Sequence, residues 1–236
     1  MNVDENPSKT KTKSVESRKN FYDWLANEIK IDGIVSIERD TAFDNNIYTS
    51  GGIRLFYDNK TEPIDGVKAG ILLEAGFDTV TPNNNLTICS WALEKALESL
   101  GEKIINNTAI DIACYHPGYT FVEKLQTIAT KFRQEQSEQR GRPNYMRQYY
   151  DVACLLGRDD VQKFIGTEEY RQHKKIRFPK KDLEIPVAEN EAFLLSNPEV
   201  RDKFKIRYSA TANLYYKGQP PFDELLGTIH ANLHKL

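Results

Sequence analysis

The sequence predicts an α+β protein, in which a small mixed sheet with flanking helices is followed by a C-terminal helical domain. Three strand-like runs, separated by clusters of Asp, Asn, Gly and Pro, occupy the first third of the chain. Beyond Pro117 the apolar residues instead recur at helical spacing. Because 236 residues suffice for two cores, we place a boundary near His116-Pro117 and expect domains at 1–115 and 116–236.

The first predicted element is an amphipathic helix that follows a polar, lysine-rich arm at residues 1–13, which we expect to be loose. The apolar residues of this helix recur at helical spacing, at Phe21, Trp24, Leu25 and Ile29. Asp32-Gly33 supplies the stop signal.

Three strands are predicted next, at 34–39, 47–57 and 67–77, and they indicate a largely antiparallel sheet. In the third run, the alternate residues from Val67 to Phe77 form an apolar face. Glu74 and Asp78 therefore share the more polar face. After the asparagine run at 83–85, a short helix at 91–100 and a short strand at 109–115 are predicted.

The helical domain is predicted to contain helices at 121–133, 144–156, 159–177, 198–216 and 222–236. Thr120 and Glu123 form a capping-box pattern, which places the start of the first helix at Thr120. Lys124 lies along the edge of that helix's apolar stripe, within reach of a cleft. The stripe consists of Phe121, Leu125, Ile128 and Phe132.

The next predicted helix confines Arg147, Gln148 and Asp151 to a narrow polar side. Its apolar stripe consists of Tyr145, Tyr149, Val152, Ala153 and Leu156, with Tyr150 and Cys154 beside it. On spacing alone, the favoured interpretation is an ion pair between Arg147 and Asp151, which are four residues apart. Lys124 would then be a rim lysine with its amine in water.

The composition limits the partners. A formal net charge of −2 and a pI near 6.1 give no global attraction to a polyanion. Two basic clusters, within 174–181 and 201–207, would attract RNA phosphates, although a solvated helix face is the favoured interpretation. Three cysteines without CxxC spacing indicate a reducing compartment and no zinc site. No apolar run approaches the roughly 18 residues of a membrane span, so we expect a cytoplasmic protein.

Two segments resemble a known family. Pro117-Gly-Tyr-Thr-Phe-Val-Glu-Lys124 and Arg147-Gln-Tyr-Tyr-Asp151-Val resemble the P-x-x-T-F-x-E-K and R-H-x-Y-D-L segments of the AbiEii/AbiGii toxin family of nucleotidyltransferases, which is related to bacterial type IV toxin–antitoxin systems. The similarity continues through 207–216 and 219–226. It implies a nucleotidyltransferase-like sheet in the first domain and the nucleotide-binding motifs in the second.

The resemblance also implies roles for individual residues. Lys124 would contact the nucleotide phosphates, with Arg147 as a second nucleotide-binding residue. Asp151 would complete the catalytic site. The place of Glu74 on the polar face of its strand, rather than the resemblance, makes it a candidate for a further catalytic carboxylate. The implied reaction moves a nucleotidyl group from an NTP, with Mg²⁺, to an RNA acceptor such as tRNA or to a protein. An antitoxin protein is an expected partner.

One family motif has no counterpart at the expected place. The family has a Gly-Gly or Gly-Ser turn followed about ten residues later by Asp-x-Asp, which holds Mg²⁺. Gly51-Gly52 lacks that spacing, and we interpret it as a turn at a strand edge. Gln148 stands where the family often has histidine. We therefore assign no metal ligands, and expect either a truncated or catalytically impaired family member, or a non-catalytic module that binds a nucleotide, an RNA or a protein.

Overall fold

The chain divides into two compact units, Met1–Val80 and Thr81–Leu236, which are described separately. The computed structural model describes residues 3–63, 67–100, 104–138, 141, 145–215 and 217–236. Positions 144 and 216, at the ends of two predicted helices, lie outside these ranges. The domain boundary expected near His116 stays a prediction. The strand that ends just before it pairs with a strand of the second unit.

The first unit is an antiparallel sheet with one helix. Strands β1, β2 and β3 are hydrogen-bonded in that order, so β2 is central. β2 accordingly carries the buried Ile53 and Leu55. The elements are α1 (Thr12–Glu28), β1 (Ile34–Asp40), β2 (Ser50–Tyr57) and β3 (Ile71–Gly76). Their number and order agree with the prediction, although the third strand is shorter than 67–77.

A close approach of α1 to the sheet explains Gly51. The Tyr22 ring is fully buried, and a Cβ added to Gly51 would lie 2.8 Å from it. The Tyr22 hydroxyl also donates to the Ala75 carbonyl oxygen at 3.3 Å. Gly51-Gly52 thus lies inside β2 and pairs with β3, so its interpretation as a turn was wrong. A side chain at Gly51 would displace the helix.

The arm before α1 is held in place, and the expectation that it is loose was wrong. Arg18 is fully buried in α1, and its guanidinium donates to backbone carbonyl oxygens in two segments. The accepting carbonyl oxygens belong to Ile47 at 2.8 and 3.0 Å, Lys9 at 2.9 Å and Asn6 at 3.1 Å. A guanidinium carries five donors in a rigid plane, so one buried arginine fastens the arm and the loop before β2 to the same helix.

The apolar face predicted on the third strand does not form a buried face. Ile71 and Leu73 are 55% and 38% exposed. Glu74 is also exposed, and it pairs with Gly52 in the register. Because Tyr22 covers the neighbouring Gly51 and side chains alternate, Glu74 lies on the face away from α1.

The second unit begins with an antiparallel strand pair and continues as helices. β4 (Asn83–Ile88) pairs with β5 (Ala109–Tyr115), and α2 (Trp91–Leu100) lies between them in the chain. The helix and β5 were predicted, whereas no strand was predicted at 83–88, where β4 begins with the asparagine run. Asparagine is depleted in strands, and here cross-strand pairing overrides that tendency. The helices that follow are α3 (Pro117–Glu138), α4 (Arg147–Leu156), α5 (Asp159–Phe164), α6 (Glu168–Arg177), α7 (Lys180–Leu183), α8 (Glu191–Leu194), α9 (Pro198–Ser209) and α10 (Phe222–Asn232).

Helix α3 begins one turn earlier than the capping-box pattern predicted. Pro117 occupies the first helical position, where its fixed φ and missing N–H have no cost. His116 Nδ1 accepts the Gly118 N–H at 3.1 Å and so caps the helix. The Thr120 start was therefore wrong. Gly118 is buried against the Phe164 ring, which a Cβ at this position would overlap.

Two of the long helices predicted toward the C-terminus are interrupted. The predicted helix 159–177 breaks at Gly166, whose φ is +81°. It restarts at α6, where the Thr167 hydroxyl accepts the Tyr170 N–H at 3.2 Å. The predicted helix 198–216 ends at Ser209, and a short 3₁₀ turn at Ala212–Leu214 follows it. The end of α9 at Ser209 leaves outside the helices the residues that form one wall of the cleft described below.

The predicted apolar stripes of α3 and α4 form the core of the second unit. Phe121, Leu125, Ile128, Tyr149 and Val152 are all fully buried. Apolar residues of α8, α9 and α10 complete this core. In the described parts of the chain, no helix combines the length and apolarity needed to cross a bilayer.

A buried carboxylate joins α7 to α3. Asp182 is 4% exposed and accepts hydrogen bonds from the Thr130 hydroxyl at 2.6 Å and from the Arg133 guanidinium. Burial alone raises the pKa of Asp182, but these hydrogen bonds outweigh burial and hold the pKa below its ordinary value. The carboxylate therefore stays charged and fixes the short helix.

Candidate functional site

One face of α4 lines a cleft in the second unit. Arg147, Tyr150 and Asp151 are at helical positions i, i+3 and i+4, which bring their side chains to the same face. The opposite face carries the buried Tyr149 and Val152. The cleft has a volume of about 580 Å³, within the range typical of ligand sites. Its lining consists of Arg147, Tyr150, Asp151, Leu214, Tyr215, Lys217 and Gly218.

Lys124 approaches this cleft from α3 and pairs with Asp151. The Lys124 Nζ lies 2.8 Å from Asp151 Oδ2, and the two side chains are 30% and 34% exposed. Among the described residues Arg147 makes no ion pair, so the predicted pairing of Arg147 with Asp151 is replaced by one between helices. The structure thus brings together three predicted site residues, namely Lys124, Arg147 and Asp151.

Glu123, next to Lys124 in the chain, is held on the other side of α3. Its Oε1 lies 3.1 Å from the Arg177 guanidinium and 3.4 Å from His173 Nε2, both on α6. This contact fixes the rotation of α3 about its axis. Adjacent residues on a helix point about 100° apart, so Glu123 faces α6 while Lys124 faces α4.

Two tyrosines form an aromatic corner at the cleft, defined by the rings of Tyr150 and Tyr215. Their centroids are 4.7 Å apart and their planes are inclined by 70°. The neighbouring Cys154 raises the pKa of Tyr150, through hydrogen bonding and through the negative charge of its thiolate form, and burial raises it further. Burial likewise raises the pKa of Tyr215. Both phenols therefore stay neutral at physiological pH.

One wall of the cleft begins at Leu214, at the end of the 3₁₀ turn, and its described residues are Leu214, Tyr215, Lys217 and Gly218. This glycine has φ +89°, a left-handed conformation that favours glycine over other residues. Lys217 is exposed beside it. The sequence predicted a helix as far as 216, so this wall was not predicted. The Lys217-Gly218-Gln-Pro-Pro run was the available signal, since Gly and Pro mark turns.

The charges at the cleft are mainly positive. Arg147 and Lys217 line it, and Lys124 lies beside it through its contact with Asp151. Against these three cations stands the carboxylate of Asp151, which gives these four side chains a formal sum of +2 (3 − 1). A surface with that balance attracts an anion.

A Mg²⁺ ion does not fit the donors that the described residues provide here. Mg²⁺ takes near-octahedral oxygen ligands, usually one or two carboxylates together with phosphate oxygens and water. Asp151 supplies one carboxylate, and Lys124 already neutralises it. Within the described ranges, no group of three or more His, Cys, Asp and Glu side chains could hold a metal ion. We therefore derive no step through a metal.

Glu74, the remaining predicted site residue, belongs to the first unit. It is exposed on the face of β3 away from α1, as the alternation of its strand predicted. Its role as a catalytic carboxylate stays a prediction.

The basic clusters are partly neutralised by neighbouring carboxylates. Arg201 and Lys205 both contact Asp223, at 2.8 and 2.7 Å. Arg207 contacts Glu135 at 2.8 Å. In the other cluster Arg177 contacts Glu123. These pairings leave less positive charge for an RNA than the sequence alone indicates.

Comparison with known proteins identifies the family. A family model described as "Nucleotidyl transferase AbiEii toxin, Type IV TA system" matches residues 9–228. The small antiparallel sheets with flanking helices are consistent with a nucleotidyltransferase-like α+β fold. The chain belongs to the AbiEii family of nucleotidyltransferase toxins. No curated protein and no solved structure gave a significant match.

Proposed function

We propose that the cleft on α4 binds the phosphates of a nucleoside triphosphate, and that the protein transfers the nucleotidyl group to an RNA or protein acceptor. The observation that carries the proposal is the contact of Lys124 with Asp151 beside a cleft that also contains Arg147 and Lys217. Membership of the nucleotidyltransferase family supports the nature of the ligand.

The phosphate chain needs cations placed where its charge accumulates. The ammonium of Lys124 provides a point charge, and the guanidinium of Arg147 provides paired donors suited to phosphate oxygens. Both reach the cleft from separate helices that the shared core holds in fixed positions. The phosphates are thereby positioned without ordering a mobile segment.

Asp151 has two roles in this proposal. Its carboxylate orients the Lys124 ammonium, and it accepts a hydrogen bond from the incoming hydroxyl of the acceptor. Transfer forms a bond from the acceptor oxygen to the α-phosphorus and breaks the bond to the bridging oxygen, so pyrophosphate leaves. The hydroxyl proton passes to Asp151 or to water. We retain Glu74 as the predicted further carboxylate.

A second candidate is a non-catalytic module that keeps the fold and binds the nucleotide or a protein such as an antitoxin. It is favoured by the single carboxylate among the described lining residues of the cleft, which Lys124 neutralises. Transfer of the nucleotidyl group distinguishes the two candidates, because only the first performs it.

Calorimetry with ATP, GTP, CTP and UTP, with and without Mg²⁺, tests the binding. Lys124→Ala and Arg147→Ala should each weaken binding at least about tenfold, because each removes a charged hydrogen bond to phosphate. Lys131→Ala is the matched control, since Lys131 lies two turns further along α3 and away from the cleft. If Lys124→Ala and Arg147→Ala both bind nucleotide like the wild type, the cleft is not the phosphate site.

Transfer is tested with α-³²P-labelled NTPs, a tRNA pool and candidate antitoxin protein. We expect labelled acceptor with the wild type and none with Asp151→Ala or Glu74→Gln. Nucleotide binding without labelled product would establish the non-catalytic candidate. Loss of transfer with unchanged binding in Glu74→Gln would assign that carboxylate to the reaction step.

A further inference from the structure

We propose that the aromatic corner of Tyr150 and Tyr215 is the platform on which the base of the bound nucleotide stacks. This inference rests on the proposed function, because it assumes that Arg147 and Lys124 hold the phosphates. It adds where the base lies and how the protein selects among nucleotides.

The spacing on α4 suits a ligand with an anionic end and an aromatic end. Arg147 and Tyr150 are three residues apart, about 4.5 Å along the helix axis, and project from the same face. Asp151, which follows Tyr150 in the chain, contacts Lys124. A nucleotide can therefore place its phosphates on the cations while its base reaches the tyrosines.

Tyr150 contributes no deeply buried packing. The neighbouring Tyr149 fills the core with no exposure, whereas Tyr150 is half-buried and lines the cleft. The contact with Tyr215 fixes its ring, and Tyr215 packs in turn on Tyr208 with centroids 5.8 Å apart. A ring held in this way loses little conformational entropy when a base stacks on it.

The other described residues of the cleft suit stacking against the plane of a base more than hydrogen bonding to its edge. Leu214 is 47% exposed at the cleft and offers apolar surface. The described lining contains no side-chain amide, which is the group that reads the edge of adenine with paired hydrogen bonds. Stacking tolerates every base and varies only with stacking strength. We therefore expect purine triphosphates to bind a few-fold more tightly than pyrimidine triphosphates, with little discrimination between ATP and GTP.

The test compares nucleotides with inorganic tripolyphosphate, which has the phosphates and no base. Calorimetry on the full chain should show ATP and GTP binding more tightly than tripolyphosphate. Tyr150→Leu should weaken ATP binding about 5- to 100-fold, the range of one stacked base, and leave tripolyphosphate binding unchanged. Tyr150→Phe keeps the ring and should restore ATP binding. The matched control is Tyr57→Leu, an exposed tyrosine at the end of β2 in the other unit.

The exposed Cys154 gives a second readout. It lies four residues after Tyr150 on α4, on the same side of the helix, so a base stacked on the Tyr150 ring should slow its reaction with a maleimide, whereas tripolyphosphate should not. If ATP and tripolyphosphate bind equally and Tyr150→Leu changes neither, the platform is wrong and the phosphate site stands. If neither ligand binds, the proposed function fails together with this inference.

Discussion

Replacing Asp151 with asparagine should strengthen nucleotide binding in the absence of a divalent cation. In the free protein Asp151 is the counter-ion of Lys124, at 2.8 Å. An incoming phosphate competes for the same ammonium and is repelled by the carboxylate. Asparagine has the same shape and still accepts a hydrogen bond from the lysine, so the substitution removes the charge and leaves the geometry.

The magnitude follows from the exposure of the pair. Two unit charges about 4 Å apart interact by about 1 kcal/mol in water and more where solvent is excluded. Because Lys124 and Asp151 are each about a third exposed, we use the aqueous value for the repulsion. An exposed ion pair adds about 0.2–1 kcal/mol of competition. The sum of about 1–2 kcal/mol corresponds to a gain in affinity of about 5- to 30-fold.

The assay is calorimetric titration with ATP at low ionic strength, where surface charges are least screened. Asp160→Asn is the matched control, because Asp160 pairs with Arg158 at 2.7 Å outside the cleft. Unchanged or weaker binding by Asp151→Asn without a divalent cation would refute the role of Lys124 as a phosphate ligand. A loss of affinity confined to Mg²⁺-containing buffer would instead assign Asp151 to the metal.

Three further predictions concern stability. Gly118→Ala should lower the free energy of unfolding by about 1–3 kcal/mol in urea titrations, because its Cβ overlaps the Phe164 ring, and an unchanged midpoint would contradict that contact. The pKa of Asp182 is lower in the folded protein than the unfolded value of about 3.9, so the charged carboxylate stabilises the fold fully above that pH, and this stabilisation is lost as the pH falls through the folded pKa. Asp182→Asn should therefore show a smaller drop in Tm between pH 5 and pH 2 than the wild type. Arg18→Met should expose residues 4–9 to limited proteolysis and cost at least about 2 kcal/mol, because the carbonyl oxygens of Asn6, Lys9 and Ile47 lose their charged donor. An uncut arm would show that other contacts hold it.

Helical phasing predicted the core of the second unit because the signal is local. The stripes on α3 and α4 repeat every three or four residues, and their burial needs only that the two helices pack together. The same phasing placed Lys124 and Asp151 off the core. That these two side chains meet depends on the crossing of two helices, which no spacing within one helix encodes. The family resemblance alone pointed to their association.

The exposure of the apolar face of β3 and the existence of the cleft wall could not be predicted from the sequence, for two different reasons. The alternation in β3 was present, yet Ile71 and Leu73 remain exposed in their unit, because period two defines two faces without saying which is covered. The helical pattern in the sequence continues to 216, whereas the helix itself ends at Ser209 and a 3₁₀ turn follows at Ala212–Leu214. Only the Lys217-Gly218 turn signal marks this change. It could have shown where the wall ends but not that it lines a cleft.

The contact between Lys124 and Asp151 is worth little to the fold, and this bears on its function. An ion pair with both partners about a third exposed contributes about 0.2–1 kcal/mol, whereas α3 and α4 are held by fully buried side chains such as Phe121 and Tyr149. In a double-mutant cycle, Lys124→Ala and Asp151→Ala should therefore each change the free energy of unfolding by less than about 1 kcal/mol, with a coupling of similar size. The measurement is urea unfolding of the four proteins without nucleotide. A coupling of 3 kcal/mol or more, the size expected when a buried pair is broken, would make the pair structural and remove the reason to assign it to a ligand. A small coupling combined with a large loss of nucleotide affinity in Lys124→Ala would show that the pair acts in binding.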